Sequence, residues 1–308
     1  MSTLFRNVAG LTVLASGFIL AQAAQKTFET PEAAVSALIA AVQSGSSDEM
    51  AAVLGDEMKD QFRPGDSHLS DQDRAEFLKA AQTATRIEND TLPGRMIVYM
   101  GANDWPFPAP LVKEGDGWRF DGKAGREEIL DRRIGHNEMH AVETCLGVAE
   151  AEIEYARTDH DGSGVLAFAQ RLISSPGKHD GLYWPADATG ESPFGPAISA
   201  SDRLIASPDQ GTAPRPRYHF GYHFRILTAQ GSNAVGGAHN FLMDGHLVGG
   251  FGVIAWPRDY GTTGVQTFVV NQLGVVYAKD LGADTATIAP ALTAFDPDAS
   301  WKRLDPTN

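Results

Sequence analysis

Between residues 218 and 281, apolar and alternating runs (218–228, 239–243, 246–256, 265–271 and 275–280) are separated by glycine-rich breaks. Short runs of this kind predict an antiparallel meander. Two breaks are tight. Asp244-Gly245 sits between two apolar runs and fits a hairpin turn with positive φ at both central residues. Asn271-Gln272-Leu273-Gly274 fits a four-residue loop closing on glycine. Upstream, residues 126–157 carry the longest helical period, with Ile129, Ile134, Met139, Val142, Leu146, Ala149 and Ile153 near helical spacing. This helix is expected to lie across the meander, and the rest of the chain to cover one face of the sheet.

The N-terminal pattern is different. Thr30-Pro31-Glu32 reads as an N-cap, a proline at the first helical position and an acid at the positive end of the helix dipole. Val35, Leu38, Ile39 and Val42 follow as one apolar stripe, and Gly45 ends it. Helices are predicted at 48–54 and 71–86, the latter with Ala75, Leu78, Ala81 and Ala84 on its apolar side, then strands at 95–99, 109–113 and 117–121. In the loop 103–108, Trp105 reads either as a binding lip or as a cap on the core, held by Pro106 and Pro108. The predicted fold is α+β: a small cone-like helix-plus-hairpin domain at 24–123, then the long helix on a C-terminal antiparallel sheet at 124–308.

Charge and leader narrow the function classes. The formal net charge is −14, and the basic clusters (Arg126, Arg132 and Arg133; Arg215 and Arg217) are short and interrupted, so nucleic acid is not the expected partner. Residues 1–23 have the three parts of a secretory signal: Arg6, the apolar run 8–20 and the small-residue box Ala21-Gln22-Ala23. The mature chain is therefore expected in a periplasm or outside the cell, without stable membrane insertion. Cys145 is the only cysteine, so an intrachain disulfide is excluded, and its neighbours Val142, Leu146 and Val148 predict a buried thiol.

Candidate chemistry lies in loops. Asp159-His160-Asp161-Gly162-Ser163-Gly164-Val165 presents oxygen at positions 1, 3 and 5, glycine at 6 and a backbone carbonyl at 7, the front half of a calcium loop. Asp159, Asp161, Ser163 and Val165 are its candidate calcium ligands, with a helical turn expected at 166–173. Position 12 is Gln170 rather than a bidentate glutamate, and the competing reading is an Asp/Gly turn. The loop 174–185 combines Lys178, His179, Asp180, Tyr183 and Trp184, the side chains of a polar ligand site. His219 and His223, with His239 and His246 on neighbouring strands, outline a conceivable zinc site. No nucleophile–base arrangement is recognisable, and the catalytic residues are unknown.

Several stretches carry resemblances. The first hundred mature residues resemble cone-shaped domains of the nuclear-transport-factor-two type, and the long helix followed by a meander is similar to the soluble half of pilin-like proteins. Asp104-Trp105-Pro106-Phe107-Pro108, the run from Gly125 to Glu138, Ser175-Pro176-Gly177-Lys178 through Trp184, the run from Phe224 to Gly231 and Val276-Tyr277 through Gly282 resemble the bacterial secreted family catalogued as domain of unknown function 2950. That resemblance implies export and a shared fold and brings no established activity. The expectation is a non-catalytic envelope or extracellular interaction or structural module. The alternative is a periplasmic hydrolase or small-ligand-binding protein using the 178–184 loop.

Overall fold

The computed structural model describes residues 25–62, 71–188, 190–195 and 218–304; the expected leader at 1–23 and the Arg215 and Arg217 cluster lie outside them. The chain is α+β, and its backbone contacts divide it into two compact units between Glu128 and Ile129.

In the first unit, α1 (Pro31–Ser44) begins where Thr30 Oγ1 accepts the Ala33 N–H at 3.1 Å, and ends at Gly45 with φ 70°. It buries Ala34, Val35, Leu38, Ala41 and Val42. Ser46 caps α2 (Ser47–Leu54) in the same way, and a 3-10 helix (Asp56–Phe62) follows. Then come α3 (Asp71–Thr83), β1 (Thr85–Asn89), β2 (Arg95–Met100), β3 (Trp105–Pro106), β4 (Leu111–Glu114) and β5 (Gly117–Phe120). The strands make one antiparallel sheet in the order β1-β2-β4-β5, with β3 on β2. The expected 71–86 helix thus stops at Thr83, because Thr85–Asn89 pairs along β2. Trp105 does not cap the core: it is 45% exposed, while Phe107 is buried edge-on to Phe120 at 5.7 Å.

A single long helix, α4 (Gly122–Tyr155), runs from the first unit into the second. There follow β6 (Tyr218–His219), β7 (Tyr222–Leu227), β8 (Ala229–Gln230), β9 (His239–Asn240), β10 (Leu242–Met243), β11 (His246–Leu247), β12 (Gly252–Pro257), β13 (Gln266–Asn271), β14 (Val276–Asp280), α5 (Thr285–Ala291) and β15 (Lys302–Leu304). The main sheet is antiparallel, in the order β15-β14-β13-β12-β7-β6. Alternation puts Val253, Ala255, Phe268, Val270, Val276 and Ala278 on one face, packed with Ala141, Cys145, Val148 and Tyr155 of α4. Ile254, Val269 and Tyr277 point the other way, into a second cluster with Ala289, Leu292, Phe295 and Trp301. Both faces are therefore covered, not one, which is why the central strands read as nearly continuous apolar runs.

Other expectations change here. The run 218–228 is a hairpin rather than one strand: Phe220 (φ 47°) and Gly221 (φ 71°) form its two-residue turn. The Phe220 ring stacks on His140 of α4 at 4.2 Å, a contact that accompanies a backbone conformation unfavourable for a bulky residue. Residues 239–247 enter two small ladders outside the main sheet, β9 pairing with the earlier β8 and β10 with β11. Asp244 (φ 51°) and Gly245 (φ 86°) make the predicted tight turn between β10 and β11.

Candidate functional site

The inward stripe of α4 is Ala141, Cys145, Val148, Glu152 and Tyr155, spaced four, three, four and three residues apart. It is displaced from the predicted stripe, and Met139 and Ile153 are 54% and 45% exposed. Glu152 thus occupies a core position and has no exposed surface. Its Oε2 accepts the Ala169 N–H at 2.7 Å, whereas Oε1 has no hydrogen-bond partner among the described residues. Burial pushes its pKa up to about 8 against the opposing effect of the Ala169 N–H. The carboxyl carries its proton at neutral pH. Sequence reading missed it, since a glutamate in a helix ordinarily marks the wet side. The available signal was its place in phase with Ala141, Cys145, Val148 and Tyr155.

After Tyr155 the chain turns over the helix end. His160 stacks on the Tyr155 ring at 4.0 Å, and its Nε2 lies 3.1 Å from the Tyr155 carbonyl. A carbonyl only accepts, so Nε2 carries the hydrogen in this bond. Burial holds His160 below the ordinary histidine pKa. The loop 159–164 closes on itself: Asp159 Oδ1 accepts N–H groups from Asp161 and Gly162, Asp159 Oδ2 accepts from Gly164, and Asp161 Oδ1 accepts from Ser163. Ser163 Oγ accepts the Val165 N–H. The side-chain and backbone hydrogen bonds from Ser163 hold Asp161 below the usual carboxylate range.

The helix-loop-helix frame expected for a calcium loop is not formed. Phe168 instead bridges to Leu247 and Ile173 to Tyr183, so the segment after the loop is irregular and extended. Gln170 turns its amide to the Gly245 carbonyl at 2.7 Å. The His219 side chain lies outside the described residues, and among these no group of three or more His, Cys, Asp or Glu side chains is placed to hold an ion.

The 174–185 loop divides its candidate residues. Asp180 accepts from Ser175 N at 2.7 Å and Ser175 Oγ at 2.9 Å, with Arg171 3.6 Å away. Burial works to raise its pKa, but these hydrogen bonds and the Arg171 and Lys178 charges prevail and lower it. His179 points elsewhere, with Nε2 2.8 Å from Asp187 Oδ2 and its ring stacked on Trp184 at 4.2 Å. Trp184 is buried between His179 and His160, Tyr183 bonds through its backbone to Leu172 and Ser174, and Lys178 is exposed.

What the structure does bring together is a cleft of about 230 Å³ lined by Tyr155, His160, Asp161, Phe168, Arg171, Asp180 and His246, among others. Asp161 and Asp180 come from the two singled-out loops, and His246 from β11, with Nδ1 3.7 Å from Asp161 Oδ2. Tyr155 and Ala169 line the cleft as well, and the Glu152 carboxyl is one hydrogen bond away from Ala169 without lining the cleft itself. A cavity of about 250 Å³ on the other sheet face is lined mainly by apolar side chains such as Val269, Leu281, Ile288, Leu292 and Trp301. It gathers none of the candidate residues. Compared with known proteins, residues 25–304 match the family described as "Protein of unknown function (DUF2950)". No curated protein and no solved structure shows a match.

Proposed function

Because the chain belongs to the DUF2950 family, whose description names no activity, we propose from the geometry that it is an exported, non-catalytic binding protein holding a small polar ligand in the cleft beyond the end of α4. One observation carries this reading: Tyr155, Asp161, Arg171 and Asp180, from the end of α4 and the two loops after it, and His246 from the distant β11 converge on one concave surface. Ligand sites combine such concavity with a few convergent polar groups. Export rests on Arg6, the apolar run 8–20 and Ala21-Gln22-Ala23. Among the described residues, no helix is long and apolar enough to cross a membrane.

A hydrolase centred on His179 and Asp180 is less well supported, because these side chains bond in different directions, to Asp187 and to Ser175. Cys145 offers no nucleophile to the cleft: it is wholly buried, and burial pushes its thiol far up. The test is amide NMR of the purified protein against a small-molecule panel of cations, anions and neutral compounds. The expected result is a saturable set of shifts confined to residues around 158–171, 180 and 246. A panel that leaves these amides unmoved, or moves only those near Trp301, overturns the reading.

A further inference from the structure

We propose that the ligand of this cleft is a small organic cation bearing N–H donors, an alkylammonium or guanidinium group, received by Asp161 with the buried carboxyl of Glu152, bonded to the lining residue Ala169, as a counter-charge. This rests on the cleft being the binding site and adds the chemistry that would fill it.

The polar groups of the cleft are unequally engaged. Arg171 is turned to Asp180 and donates to Ser175 Oγ at 2.8 Å, so the cleft's positive charge is answered within the protein. The Asp161 carboxylate takes both the Ser163 N–H, on Oδ1, and the Ser163 side chain, while Oδ2 faces His246 at 3.7 Å, beyond direct hydrogen-bonding distance. The Asp161 side chain is more than half exposed, and a carboxylate has about four acceptor positions, so it keeps capacity for a donor entering the cleft. The walls suit an organic cation, since Tyr155 and His160 present stacked rings to it.

Glu152 supplies the independent observation. A wholly buried carboxyl with one oxygen lacking a partner is costly to the fold and unusual in a packed stripe. Its other oxygen is bonded to the backbone of Ala169, a residue lining the cleft. A cation arriving in the cleft, against Ala169, would favour the ionised carboxyl, and the proton leaves to solvent. By linkage, ionised Glu152 must strengthen cation binding by the same factor.

The experiment is isothermal titration of the purified protein with ethylguanidinium, whose charge is constant from pH 7 to 9, with butyrate and 1-butanol as anionic and neutral probes. In that range Asp161, Asp180 and His160, all held low, and Tyr155, pushed up to about 12, keep their charge states. Arg171 and His246 also face the cleft, and all of these groups are retained in Glu152→Gln, so the difference between the two proteins isolates Glu152.

Ethylguanidinium is expected to bind the wild type about tenfold more tightly at pH 9 than at pH 7, a typical coupling strength. The Glu152→Gln profile should be flat, and Asp161→Asn should weaken binding at both pH values while Asn Oδ1 still closes the loop. A profile as steep in Glu152→Gln as in the wild type overturns the counter-charge. Butyrate or butanol binding as well as ethylguanidinium overturns the cation and leaves the binding cleft standing. If no probe of any charge binds, the cleft reading falls together with the inference.

Discussion

Glu152 makes a prediction that needs no ligand. Its folded pKa of about 8 lies above the unfolded value near 4.5, so between these values the folded protein holds a proton that the unfolded chain has released. Stability therefore falls as pH rises from about 4.5 to 8, by a few kcal/mol at most on the order of one proton's linkage across that window. His160, with a lowered pKa, has the opposite sign: it removes stability as pH falls below about 6.5. It is present in both proteins and cancels in the difference between wild type and Glu152→Gln. Glutamine keeps an acceptor for the Ala169 N–H and cannot ionise, so the variant should be the more stable protein at pH 8, and the gap should shrink toward pH 5. Urea denaturation of the pair at pH 5, 6.5 and 8 checks this, and parallel pH profiles would show that Glu152 is not buried as a neutral acid. The residue was illegible in the sequence because propensity treats glutamate as a good solvent-facing helix former. Only the small and apolar neighbours in phase with it reveal the stripe.

Among the elements, local chemistry made some features readable and long-range contacts hid others. Thr30-Pro31, Gly45 and Asp244-Gly245 announced their cap and turn geometries because each depends on one or two residues' own backbone preferences. The Phe220-Gly221 turn gave no such signal, since phenylalanine rarely adopts positive φ and here stacks on His140 from a helix eighty positions earlier. The same helix clamps the turn before β13: Glu138 Oε1 accepts the Val265 and Gln266 N–H groups at 2.8 and 2.9 Å, and Asn137 Nδ2 donates to the Thr263 carbonyl. Glu138→Ala should cost about 1–3 kcal/mol by leaving these partly buried donors without their acceptor, and Glu138→Gln clearly less. Gly264→Ala, in the same turn, should destabilise as well, because its Cβ would fall 2.1 Å from the Tyr222 hydroxyl oxygen. Denaturation midpoints for the three variants rank these effects, and an unchanged midpoint in Glu138→Ala would show that the clamp contributes nothing.

For the chain as a whole, the α+β class and the helix-plus-meander order were legible because each element's period is local. The cleft was not: its lining runs from Tyr155 to His246, and nothing in a linear pattern tells that Asp161, Asp180 and His246 meet while His179 turns away to Asp187. Convergence of that kind follows from the sheet register and the docking of α4 on one face, and Cys145 offers a direct probe of that docking. The lone thiol lies in the contact between α4 and the Val253, Phe268 and Val270 face, with no exposed surface. Burial also keeps it protonated, so modification by a thiol reagent requires the C-terminal unit to open. For a unit of ordinary stability, about 5 kcal/mol or more, native labelling should be slower than in the unfolded chain by a factor of about 10³ or greater. Labelling with an aromatic disulfide across a urea series should then accelerate in step with loss of the sheet's circular dichroism signal. Rapid labelling without denaturant would mean that α4 leaves the sheet readily, in which case Tyr155 and Ala169 would not persist as a fixed lining for any ligand.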